Sequence, residues 1–91
     1  MNDNVIKEIP ILIEGAKYMV EFPTPISFPE DFQIKLMNTT VIETEEVKED
    51  EVIINTIPKE IELEFLVMNP KTGKIKKKWF YGKVKKELKG E

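Results

Sequence analysis

The sequence predicts an all-β protein: a small single-domain antiparallel barrel or compact sandwich of about six strands. Three observations lead there. Apolar residues recur with a period of two, Gly, Pro, Asn and Asp punctuate these segments at close spacing, and no helical period outlasts one turn. The chain's 91 residues, 41% of them hydrophobic, suffice for one core and leave no room for a second. Residues 1–91 therefore read as one domain, with short flexible ends at about 1–4 and 88–91.

The first strand lies in VIKEIPILIEG (5–15), where Ile9, Ile11 and Ile13 alternate with Pro10, Leu12 and Glu14. Pro10 has no N–H for a ladder bond, which points to an edge strand or a bulge. Glu14–Lys17 reads as a turn around Gly15, and AKYMVEF follows as a second strand with Tyr18, Val20 and Phe22 on one side. FPTPISFPEDF (22–32) carries Pro23, Pro25 and Pro29, so it is expected to be an extended connection and cannot be a helix interior. Ser27 and Glu30 have the spacing of a capping box, predicting one helical turn. Phe22, Phe28 and Phe32 are expected to plug one end of the barrel; a polyproline ligand is the less favoured reading.

A long strand follows over about 32–44, bulged near Asn38, with Phe32, Ile34 and Leu36 alternating against Gln33, Lys35 and Met37. The acidic run ETEEVKEDE (43–51) reads as a solvated loop tip or a fraying hairpin end. VIINTI (52–57) is expected to be a strand stopped by Pro58. IELEFLVM (61–68) is another, with Ile61, Leu63, Phe65 and Val67 on one face. Asn69–Lys74 is the strongest turn signal, with Pro70 presetting φ and Gly73 able to take a left-handed conformation.

The last strand begins in KIKKKWFYGKVKK (74–86). If it is extended, Ile75, Lys77, Trp79, Tyr81 and Lys83 share one face, and Lys76, Lys78, Phe80, Gly82 and Val84 share the other. Placing Met68 opposite Lys74 sets Leu63 against Trp79 and Glu64 against Lys78, which buries Trp79 in the larger continuous apolar face. A slip of one residue buries Phe80 instead. The first register is the expected one.

Absences narrow the chemistry. There is no cysteine and no histidine, and all fourteen basic residues are lysine. A thiolate nucleophile, the commonest general base and the usual zinc ligands are therefore missing. So is the arginine fork that reads phosphate or guanine bidentately. Carboxylate pairs among Glu14, Glu21, Glu62 and Glu64 come with no cleft signal, so no catalytic residue is assigned. The expected protein is non-enzymatic and needs no cofactor. The acidic run could in principle chelate a hard cation, but it lacks the ordering and glycine of a calcium loop, so no metal site is assigned.

Net charge is −3, yet residues 1–66 hold fifteen acids against five lysines while residues 67–91 hold nine lysines against two acids. Such asymmetry signals association or internal pairing. Two candidate surfaces follow. The basic one comprises Lys74, Lys76, Lys77, Lys78, Phe80, Lys83, Lys85 and Lys86; the acidic one comprises Glu43, Glu45, Glu46, Glu49, Asp50 and Glu51. The expected function is an interaction module or accessory subunit, with a protein partner or self-association acting through a sheet edge and these patches. The alternative is weakly selective nucleic-acid binding through the lysine–aromatic strand. No signal peptide or membrane span is read, which predicts a soluble protein of the cytoplasm. Abundant Lys and Glu without Cys also resembles a thermophile composition.

Overall fold

Prolines decide where this sheet bends. In the computed structural model, which describes residues 3–89, five strands form one antiparallel sheet: β1 (Asp3–Ile13), β2 (Ala16–Pro29), β3 (Gln33–Glu49), β4 (Val52–Met68) and β5 (Ile75–Leu88). Their spatial order is β1-β2-β5-β4-β3, so β1 and β3 are edges and the sheet does not close into a barrel. Pro10 sits on edge strand β1, where a missing N–H is tolerated. No helix among the described residues is long and apolar enough to cross a membrane.

Between Glu8↔Glu21 and Ile6↔Ile26, Phe22–Pro25 bulge out of β2 opposite the single residue Lys7. Pro23 and Pro25 occupy this bulge, where the ladder asks nothing of their nitrogens. The corner also ends the pairing of β2 with β5, which runs from Lys17↔Leu88 to Glu21↔Lys83. The connection expected over 22–32 is thus mostly the second half of β2. The expected helical turn does not form, because Ser27 is held in the strand and its Oγ donates to Asp3 Oδ2 at 3.2 Å. The chain reverses instead through Glu30–Phe32, with the Phe32 N–H donating to the Pro29 carbonyl at 3.0 Å.

Five strands replace the six expected because β4 continues through Pro58. Glu43 faces Glu60 and Thr44 faces Pro58, so Lys59 is extra and Pro58 lies beside a bulge. There β4 has already left β5, whose pairing ends at Glu60↔Lys83, and the proline deletes no bond on that side. Of the ends expected to be flexible, Asp3 and Asn4 pair with Pro29 and Phe28, and Leu88 pairs with Lys17. Residues 1–2 and 90–91 lie outside the described residues.

Ile11 of β1, Val20, Phe22 and Ile26 of β2, and Ile61, Leu63 and Phe65 of β4 form the core, so the curled sheet packs its inner face upon itself. Burial of each such side chain contributes roughly 1.5–3 kcal/mol. These are the inward faces that period-two alternation predicts for β1, β2 and β4. Two hairpins turn on two residues each: Glu14 (φ 48°) with Gly15 (φ 85°), and Asp50 (φ 51°) with Glu51 (φ 64°). Positive φ at both positions matches the right-handed twist of the flanking strands.

The β4–β5 turn corrects the expected register. The Asn69 N–H donates to the Lys74 carbonyl at 3.0 Å and the Gly73 N–H to the Asn69 carbonyl at 2.7 Å, with Gly73 at φ 73°. Asn69 therefore faces Lys74, Met68 faces Ile75, Glu64 faces Trp79 and Leu63 faces Phe80. Phe80 turns inward and meets Phe65 edge-on at a centroid distance of 5.8 Å, while Trp79 is 55% exposed and Tyr81 41% exposed. Glu64 pairs with Lys77, at 3.7 Å, and not with Lys78. Counting apolar residues favoured the other register; the glycine overrules it. Gly82 is buried opposite Ile61, and a Cβ there would collide with Val20 Cγ1. Only a glycine permits that approach of β2 to β5, so position 82 must face inward and Trp79 outward.

Beyond Glu60 the β3–β4 hairpin leaves the sheet as an arm whose strands pair only with each other, and the molecule reaches 57 Å in its longest dimension.

Candidate functional site

The basic candidate surface is divided by the pleat. Lys77 and Lys83 point outward with Ile75, Trp79 and Tyr81. Their cross-strand partners on β4 are Met68, Leu66, Glu64, Glu62 and Glu60. This face is aromatic and of mixed charge. Hydrogen bonding to the Glu60 carboxylate, helped by partial desolvation and the charges of Glu60 and Glu43, pushes the Tyr81 hydroxyl up to about 12. Lys85 and Lys86 lie at the far end of β5. Lys85 pairs with Glu8 at 3.4 Å, and both lysines border a shallow depression with Tyr18 and Pro58.

Lys74, Lys76, Lys78 and Phe80 belong to a different place. Where the proline corner carries β2 away from β5, a cleft of about 390 Å³ opens between them. Its walls are Ile26, Phe28, Phe32, Ile34, Phe65 and Val67, and Lys76 and Lys78 of β5 stand along it with Lys74 from the preceding turn. Phe28 and Phe32 line this cleft, where the sequence reading has them plugging a barrel end.

The acidic candidates run along the arm. Glu43 faces Glu60, Glu45 faces Ile57, Glu46 faces Thr56 and Glu49 faces Val52, with Asp50 and Glu51 forming the turn. Glu45 pairs with Lys59 at 3.7 Å and Glu46 with Lys48 at 3.9 Å, both pairs solvent-exposed. Among the described residues no three carboxylates converge as a metal site would require. An extended ribbon spreads its carboxylates along its length.

Sequence reasoning missed two things here. VIINTI was assigned as an ordinary strand, yet Val52, Ile53 and Ile54 are exposed on the arm together with Ile42 and Val47. The available signal was the unbroken apolar run facing a partner strand of glutamates, which cannot place one face in a core. The cleft was missed as well, and its signal was the Pro23–Pro25 pair that turns β2 aside. No family model, curated protein or solved structure matches the chain.

Proposed function

We propose that this protein is a non-enzymatic interaction module that works by laying its β3–β4 arm against another protein surface, in the first instance a second copy of the chain. The arm carries the reading. A two-stranded ribbon is at best marginally stable in water, and this one presents free edges with exposed Ile42, Val47, Val52, Ile53 and Ile54. A covering surface would bury those side chains and extend the ladder. The arm's carboxylates suit a partner surface that offers lysines or other basic groups.

Sedimentation equilibrium tests this. The parent chain is expected to exceed the mass of one chain, with a dependence on salt, and Ile53→Lys/Ile54→Lys is expected to sediment as a monomer. A single-chain mass at every concentration would eliminate self-association.

Nucleic-acid binding is the second reading, favoured by the exposed pair Trp79 and Tyr81, which Lys77 and Lys83 flank along β5. Glu60, Glu62 and Glu64 lie directly beside that stripe and repel phosphate, which is why it ranks second. Titration with labelled single-stranded and duplex DNA and RNA at low salt, using Lys77→Gln/Trp79→Ala/Lys83→Gln as control, separates the two readings. No binding at low salt removes this one.

A further inference from the structure

We propose that the cleft between the second half of β2 and the first half of β5 binds a small amphiphilic anion: a carboxylate with an unbranched apolar tail. This goes beyond the arm-mediated function and does not depend on it.

Three lysines stand on the inner, apolar side of the sheet. Lys76 and Lys78 alternate along β5 with Lys74 just before its start, so their side chains leave the sheet on the inner side. Two of the three have apolar neighbours across the ladder, Val67 facing Lys76 and Phe65 facing Lys78, while Asn69 faces Lys74. Solubility alone would be served by lysines on the outer face. Here all three line the cleft beside its apolar residues and remain exposed to solvent, as long amphipathic side chains can. Among the described residues none of the three is in an ion pair, and no Asp or Glu lines the cleft. Like charges on alternate positions repel, and an anion seated between them removes that repulsion.

The cleft floor specifies the rest of the ligand. Its walls are apolar, from Ile26 and Phe28 across to Ile34 and Phe65. At about 390 Å³ it has some two and a half times the volume of the roughly 150 Å³ apolar cavity that takes up benzene, which leaves room for about fifteen non-hydrogen atoms. A carboxylate with a tail of about ten to twelve carbons fills that space with its charge at the lysines. A bare inorganic anion would leave the apolar floor empty. Among the described residues β5 has no strand partner on this side before Lys83, which leaves its edge open to the cleft.

The test is calorimetric titration of the full chain with sodium dodecanoate below its micelle concentration, and with dodecyltrimethylammonium as a cation of the same tail. Methyl NMR spectra follow the same titrations. Saturable one-to-one binding of dodecanoate is expected, with shifts at Ile26, Ile34 and Val67. The cation should bind at least about tenfold more weakly, and Lys74→Gln/Lys76→Gln/Lys78→Gln should weaken dodecanoate by about tenfold. Equal affinity for the two detergents would overturn the proposal. So would shifts confined to Ile53 and Ile54 of the arm, or the absence of saturable dodecanoate binding. The detergent comparison uses the parent protein, so the result stands whatever the folding of the triple variant.

Discussion

Adding one methyl group at Gly82 tests the central contact of the fold. Gly82 faces inward opposite Ile61, and a Cβ there would overlap Val20 Cγ1, with Phe22 Cε1 3.7 Å away. Val20 is fully buried and, being β-branched, has little freedom to rotate aside. Overpacking of this kind costs about 1–3 kcal/mol, and replacing glycine returns about 0.4–1 kcal/mol through the unfolded chain. Gly82→Ala is therefore expected to destabilise by up to about 2.6 kcal/mol. Val20→Ala alone removes two buried methyl groups and should cost about 2–3 kcal/mol. In the double variant the new methyl occupies the space that Val20 vacated, so the combined loss should fall short of the sum by at least about 1 kcal/mol. Urea unfolding followed by far-UV circular dichroism measures all four proteins, with midpoints compared at constant slope. Additive losses, within about 0.5 kcal/mol, would show that the β2–β5 approach does not depend on this glycine.

Exchanging the two neighbouring aromatics for alanine reads the register directly. Phe80→Ala should cost about 2–4 kcal/mol and Trp79→Ala no more than about 1 kcal/mol, and the reverse order would restore the pairing of Met68 with Lys74 that buries Trp79. Glu51→Gly relieves a side chain at φ 64° and should stabilise the arm by up to about 1 kcal/mol, seen as stronger amide protection from Thr44 to Val47. Unchanged protection would argue against the two-residue turn. In a Tyr18→Phe background, phenolate absorbance should report a Tyr81 midpoint near 12, moving toward 10.0 in Glu60→Gln. The folded value lies above the unfolded one, so the stabilisation from this contact is whole below pH 10.0 and fades as pH approaches 12. A parent midpoint at 10.0 would mean that the hydroxyl does not meet Glu60.

Alternation was the most legible feature of the sequence. Ile11, Tyr18, Val20, Phe22, Ile61, Leu63 and Phe65 are buried on the faces that a period of two assigns to them. The turns at Gly15 and Gly73 were legible for the same local reason, since each needs a left-handed residue where glycine stands. What failed was the step from segments to their alignment. Whether Trp79 or Phe80 is buried depends on one residue of turn geometry and on a close approach between β2 and β5, which lie far apart in the chain. The strand over 52–57 failed differently. Its composition reads as core, but among the described residues nothing covers Val52, Ile53 and Ile54, which stay exposed. The candidate lysines were found as a run in sequence, and the pleat then sent them to two faces with different neighbours, apolar for Lys76 and Lys78 and carboxylate for Lys77.

The three-residue link Glu30–Phe32 has a consequence for how the chain folds. On one side of it stands a hairpin, β1–β2, and on the other a three-strand meander, β3–β4–β5; each is built from neighbours in sequence. Among the described residues a single ladder joins the two, from Lys17 to Glu21 against Lys83 to Leu88, more than half the chain apart. Closing a loop of that length would ordinarily make folding slow. Once both units have formed, however, the distance still to be searched is set by the short link and no longer by the contour of the chain. The long-range pairing then amounts to two preformed halves turning about one hinge.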